Sequence, residues 1–394
     1  MARFLFFLSL FLAAGAGYGQ EQQVVQQPPA YSRTHLLQAI SQYKAITEAG
    51  KWHILPDTLL LRPGDSSRFV LQLQENLLLT GDLPPALYKP AAFSDTLGGL
   101  YTPAITAAVR NFQQRHGLMA DGVLGPITIA ALNVPPAYRL WQLQQNLFRR
   151  DTAFADLTQP YVIINLPDYT LQVIDSNRTV LQMRVIVGKP ELETFPVRSE
   201  LTTVVLHPYW YLPTSIAVEE IVPLLRRNPG YLASKRMKLE RLSGDRWARV
   251  NPWRVNWHNI NSSNFNYRIV QLQGSDNELG QVKFPFPNIL PQYLHDTPDK
   301  AYFDYPHRAL SHGCIRLEKP VEFAYYLLER GSGYTTEKVD RLWKKFKPNH
   351  YLAVHEPLPL LIVYLTAWAN ADMQVQFRDD IYGYDVLPPL TQEK

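Results

Sequence analysis

One cysteine occurs in the 394 residues, and the segment around it, Ala309-Leu310-Ser311-His312-Gly313-Cys314-Ile315-Arg316-Leu317, is the part of the chain best equipped for chemistry. A thiol attacks as thiolate, so it needs a base or a positive field beside it. Three histidines, His295, His307 and His312, lie within about twenty positions upstream, and Arg316 follows two positions downstream. If Cys314 begins a strand, Arg316 points to the same face and could hold a substrate carboxylate while the sulfur attacks. Gly313 leaves room for a substrate backbone and permits a turn that a Cβ would hinder. Three chemistries fit these residues: a buried free cysteine beside incidental histidines, a zinc site from His295, His307, His312 and Cys314, and Cys–His nucleophilic catalysis. The spacing matches no zinc finger and the chain has no HExxH, which weighs against the metal.

The elements around this segment read as strands. Tyr161 to Leu166 is apolar, Pro167-Asp168 is a turn, and Tyr169, Leu171 and Val173 alternate with polar neighbours. Arg178 to Val187, Thr202 to Leu206, Gln281 to Phe286, Ile289 to His295 and Leu360 to Thr366 continue the pattern. Helices are expected from Pro320 and over Thr335 to Phe346. Strands with few intervening helices predict a β-rich domain, not an alternating βαβ sheet. Pro208 to Gly280 interrupts it with an apolar helix over Ser215 to Arg227. An aromatic stretch follows, Trp247, Trp253, Trp257, Phe265 and Tyr267, expected to be mainly core.

Ahead of the strands the period is helical. Leu36, Leu37, Ile40, Tyr43 and Ile46 share one face, with Ser32 or Thr34 as cap and Gly50 as stop. Three short helices should then surround one core over Ser66 to Val134. The second opens at Thr102-Pro103 with the stripe Ile105, Val109, Phe112, and the third at Gly125-Pro126.

With 46% hydrophobic residues, wholesale disorder is excluded, and one Cys excludes a disulfide framework or a multi-thiolate metal site. The +4 charge is too diffuse to argue for nucleic acid. Arg3, the apolar run Phe4 to Ala14 and the small residues Gly15 to Gly19 read as an export signal, and no later stretch reads as a membrane span. The expectation is a soluble exported protein of the periplasm or cell envelope, keeping one thiol where thiols usually oxidise.

Two stretches resemble known families. "AVRNFQQRHGLMADGVLGPITIAALNV", Ala108 to Val134, resembles the peptidoglycan-binding module of cell-wall enzymes, a small three-helix bundle. "YLHDTP", Tyr293 to Pro298, followed by "RALSHGCIRLEKP", Arg308 to Pro320, resembles the signature of the L,D-transpeptidase family, the YkuD-type domain. "HPYWYLPTSIAVEEIVPLLRRNPGYL" is similar to the capping region inserted in its long forms.

The resemblance implies a multidomain chain: a β-rich catalytic domain with a helical capping insert, preceded by a small all-α bundle. The boundaries expected are 1–19 signal peptide, 20–65 spacer and helical segment, 66–135 bundle, and 136–160 linker helix. The catalytic domain follows at 161–356, with its insert at about 208–280, and then a 357–394 C-terminal segment. It implies Cys314 as nucleophile and His295 as general base. Ser311, His312, Gly313 and Arg316 would shape the site and contact substrate, with no metal or organic cofactor. The implied partners are peptidoglycan stem peptides, a donor tetrapeptide and an acceptor stem joined in a 3→3 cross-link, and carbapenem-type inhibitors. Nucleic acid and stable membrane insertion are not expected. Other acyl fates stay open: hydrolysis, D-amino-acid exchange, attachment of a protein to the wall, or a non-catalytic wall-binding role.

Overall fold

The computed structural model describes residues 31–88, 99–331 and 333–386; the expected export signal lies outside them. Among the described residues no helix is long and apolar enough to cross a membrane.

The largest unit is a nine-stranded sheet that closes on itself. Its hydrogen-bonded order is Ala309–Ser311, Arg178–Gly188, Ile315–Leu317, Leu294–His295, Val282–Phe284, Val197–Leu206, His350–Val363, Tyr161–Asn165 and Thr170–Asp175. The last strand pairs back onto Arg178–Gly188, which completes a barrel. Alternation fills the interior: Val162, Ile164, Leu171, Val173, Val185, Leu206, Phe284, Leu294, Ile315 and Leu317 are buried there. Phe323, Ala324, Leu327 and Leu328 of the helix Pro320–Glu329 belong to the same core.

Two strands differ from the sequence pattern. The expected strand over Ile289 to His295 shrinks to Leu294–His295, with Ile289 exposed in the preceding loop. The closing strand is longer than expected and reaches back to His350 through Pro357 and Pro359. A register irregularity between Ala353 and Leu358 absorbs the missing N–H of Pro357, which is how a sheet tolerates proline.

The insert is helical only in part. It carries a four-stranded antiparallel sheet in the order Trp210–Tyr211, Tyr267–Gln271, Met237–Ser243, Arg246–Arg249. The expected helix is present as Thr214–Ile216 and Val222–Arg227 joined by a π turn, Ala217–Ile221. Pro223, which has no N–H to return to Glu219, lies just beyond that wide turn. Leu212, Val222, Leu225, Leu239, Trp257 and Ile269 form a core of the insert's own. Of the expected core aromatics Trp257 is buried, whereas Trp247 and Trp253 are exposed.

The bundle consists of Val70–Leu79, Pro103–Arg115 and Pro126–Leu132 around Leu73, Leu77, Ile105, Val109, Phe112 and Ile129. The Thr102 hydroxyl caps the second helix by accepting from the Ile105 N–H. Outside the bundle, the helices Arg33–Ala49 and Pro136–Ala153 pack with the hairpin Ala367–Ala369/Val375–Phe377 through Leu36, Tyr43, Leu143, Val375 and Phe377. His116 of the bundle stacks on Phe377 at 5.3 Å, and Arg378 donates to the Arg115 carbonyl at 3.0 Å. The C-terminal segment therefore bridges bundle and barrel.

Candidate active site

Three short strands set the site. Leu294–His295 pairs in parallel with Ile315–Leu317, Leu294 opposite Ile315 and His295 opposite Arg316. On its other side it pairs with Val282–Phe284, Lys283 opposite His295. Because Leu294, Ile315, Leu317, Val282 and Phe284 point into the core, Lys283, His295 and Arg316 form one row on the opposite face. Cys314 ends the bend that feeds the Ile315 strand, and the Ile315 N–H bonds to the Tyr293 carbonyl at 3.0 Å. Period two puts Cys314 and Tyr293 on the same face as that row.

The bend over His312 and Gly313 is fixed by Ser311. Its buried hydroxyl donates to the Cys314 carbonyl at 2.5 Å and accepts from the Gly313 N–H at 3.2 Å. Gly313 sits at φ +99, with the Glu193 carbonyl 3.2 Å from where a Cβ would stand. The fully buried Thr194 hydroxyl donates to the Gly313 carbonyl at 2.9 Å and accepts from the Gly188 N–H at 2.8 Å. Gly313→Ala should therefore slow any acylation of Cys314 by about five- to 150-fold, since an L residue at this φ costs on the order of 1–3 kcal/mol. Circular dichroism should show a native fold. An adduct forming at the wild-type rate in intact-protein mass spectra would refute the role.

His295 is buried, and its Nδ1 approaches the Asp296 carbonyl. A carbonyl only accepts, so Nδ1 carries the hydrogen and Nε2 keeps its lone pair. Asp296 is itself held rigid: its carboxylate accepts from the Lys300 ammonium at 2.6 Å, the Thr297 N–H at 2.7 Å and the Gln281 N–H at 2.8 Å. Burial, then the Arg316 charge, then Lys283 and Lys300 push the His295 pKa down to about 3, against the bond to Asp296. The imidazole is neutral at physiological pH but a weaker base than an ordinary histidine.

The half-buried Cys314 thiol donates to the Pro291 carbonyl at 3.7 Å. Burial pushes its pKa up, while Tyr293, Lys283 and Arg316 pull it down. The Trp210 indole of the insert and the Cys314 thiol both lie against the Tyr293 hydroxyl, whose own pKa burial raises. Lys283 stands with its ammonium 3.6 Å from the centroid of the Tyr293 ring.

Of the candidates from sequence, Ser311, His312, Gly313, Cys314, His295 and Arg316 come together here. His312 turns outward, and its Nε2 lies 2.5 Å from the Glu220 carboxylate on the insert. His307 is elsewhere, lining a cavity of about 440 Å³ with Met119, Tyr169 and Arg308. Among the described residues no three His, Cys, Asp or Glu side chains are grouped to hold a metal, so the four-residue zinc arrangement is not formed. Tyr293, Lys283, Thr194, Asp296 and Glu220 were not singled out from sequence. Lys283 carried a signal, a lone charge between Val282 and Phe284 on an apolar strand; Thr194 and Glu220 carried none, because long-range folding brings them in.

Two family profiles match this chain: the L,D-transpeptidase catalytic domain at residues 159–349, and at residues 67–132 a domain described as "Putative peptidoglycan binding domain". A Haemophilus influenzae protein named "Putative L,D-transpeptidase" is 33% identical over 224 residues. The match takes in 57% of this chain, which spans 44% of that relative's length. Solved structures of L,D-transpeptidases from Stackebrandtia nassauensis and Mycobacterium smegmatis are also similar. The first has 16% identity and a TM-score of 0.25, over 69% of this chain and 91% of that one. The second has 12% identity and a TM-score of 0.25, over 52% and 58%.

Proposed function

Because residues 159–349 match the family model of the L,D-transpeptidase catalytic domain, we propose that this protein cross-links peptidoglycan stem peptides through a thioester on Cys314. The observation that carries the reading is the row Lys283–His295–Arg316 beside the chain's single thiol, on the barrel face away from the core.

The Cys314 sulfur attacks the carbonyl of the third residue of a donor tetrapeptide. The C–S bond forms, the C–N bond to terminal D-Ala breaks, and His295 carries the thiol proton to the leaving amine. The amine of an acceptor stem then attacks the thioester. The new C–N bond forms, the C–S bond breaks, and the amine proton returns through His295 to sulfur. The Cys314 N–H bonds nothing among the described residues and is the candidate donor to the carbonyl oxygen. The Gly313 N–H is taken by Ser311 and cannot serve. On this reading the bundle holds the wall and the protein works in the envelope, as the match to a peptidoglycan-binding model supports. Carbapenems, as strained acyl donors, should label the same sulfur.

The insert acts as a lid, latched by Glu220 on His312 and by Trp210 against Tyr293. An exposed latch of this kind contributes at most about 1 kcal/mol. Glu220→Ala should thus raise the KM for the donor by about two- to fivefold and leave kcat within twofold; an unchanged KM would refute the latch.

The full chain, incubated with disaccharide-tetrapeptide, should yield a dimer lacking one D-Ala, joined between third residues in fragmentation spectra. Tripeptide alone would overturn cross-linking in favour of hydrolysis.

A further inference from the structure

About half of the buried or half-buried cations among the described residues pair with a carboxylate. Arg115 pairs with Asp82, Arg184 with Glu318, Arg268 with Glu240 and Arg378 with Asp168. Lys283, Arg316, Arg139, Arg308, Lys189 and Lys238 lie outside such ion pairs, and of the six only Lys283 and Arg316 stand on the face that carries Cys314 and His295. Lys283 is half-buried and rests on the Tyr293 ring, with no carboxylate in ion-pair range among the described residues. Arg316 is also half-buried, and its Nε is fully shielded with no hydrogen-bond partner. Glu278 senses the Arg316 charge but makes no ion pair with it. Cations removed from water without a partner are costly, and a fold that keeps two of them has a use for an anion there.

Their placement says where the anion goes. Lys283 and Arg316 oppose His295 from its two neighbouring strands, so their Cα atoms stand about 10 Å apart at the usual strand spacing. Two long side chains can reach one group over His295, immediately beside the thiol. We propose that Lys283 and Arg316 form an anion seat for a free carboxylate of the donor peptide, so that the site selects the acid over its carboxamide. This deepens the transpeptidase reading and rests on it for the identity of the donor.

Guanidinium and ammonium suit a carboxylate differently: Arg316 offers a planar fork, Lys283 a point charge. An anion between them also cancels two of the charges that hold His295 unprotonated. The other charged and titratable groups around the ring are Lys300, paired with Asp296, and Tyr293. A seated carboxylate thus strengthens the base only when the right donor is bound.

The test uses the full chain with Cys314→Ser, which cannot form a thioester, and calorimetry at low salt. The probes are an N-acetylated tetrapeptide with free carboxylates and the same peptide as carboxamides. The acid should bind at least tenfold more tightly. Lys283→Met should reduce that preference below threefold, and Lys283→Arg, which keeps the charge and checks the fold, should retain it. Equal binding of acid and amide, or a full preference surviving in Lys283→Met, would overturn the seat. Acid preference in a chain whose wild type forms no acyl-enzyme would keep the seat and sink the transpeptidase reading.

Discussion

Incubated with a tetrapeptide donor or a carbapenem, Cys314→Ala protein is expected to gain no mass, where the unsubstituted chain gains one acyl group. The loss should exceed about 10³-fold, because the substitution removes the bond-forming atom, not a group that tunes it. No second thiol exists to substitute for it. Cys314→Ser should fail similarly, since a hydroxyl with His295 held at a pKa of about 3 has no adequate base. The fold should survive: Cys314 is half-buried at the end of a bend held by Ser311, Thr194 and Gly313. Thermal midpoints within a few degrees of wild type, together with absent adducts, form the expected pair of results. A cross-linked product from pure Cys314→Ala would remove the mechanism.

The second large effect separates the two histidines. From its sequence position His295 invites an ordinary pKa near 6.5; its surroundings lower this to about 3. In the free enzyme, kcat/KM reports the free base. The acid limb should therefore lie well below pH 6, with the rate nearly flat from about pH 5 to 7. His295→Ala should cut acylation by about 10²–10⁴-fold at pH 7, the usual contribution of a general base. The remaining rate should climb with pH as the thiol ionises unaided. Burial raises the thiol pKa, so that climb should continue beyond pH 9 and not level there. His312→Ala should lose its contact with Glu220 and show a smaller loss with the wild-type pH profile. An acid limb at pH 6.5, or pH rescue of the His312 variant alone, would reverse the assignment.

Much of this was legible in the chain because it is local. The caps at Ser32 and Thr102, the bundle's apolar stripes and the barrel's alternation each depend on neighbours a few residues away, and each appears near its expected place. The clustering of Cys314, Arg316 and His295 was readable from one motif and a parity argument. The remainder depends on distant partners. Nothing near Thr194 announces a hydroxyl aimed at Gly313, and no pattern in Glu219-Glu220 marks an acid that meets His312. The insert's sheet was missed because its strands do not alternate cleanly: Arg246–Arg249 is exposed throughout and Met237–Ser243 over its last three residues. His295's depressed basicity comes first from burial and then from three cations, all of them on other elements.

The loop behind Cys314 is braced by residues that follow it by about seventy positions. The Tyr382 hydroxyl donates to the Gly188 carbonyl at 2.7 Å and accepts from the Thr194 N–H at 3.2 Å, while Tyr384 donates to Glu193. Asp385 is clamped to Arg149 of the long helix at 2.6 Å. These anchors are synthesised well after Cys314. A chain emerging from the ribosome therefore carries its one thiol for some time without the brace that shapes the bend around it. The contacts of Tyr382 and Tyr384 with Gly188, Glu193 and Thr194 close only once those tyrosines have been made.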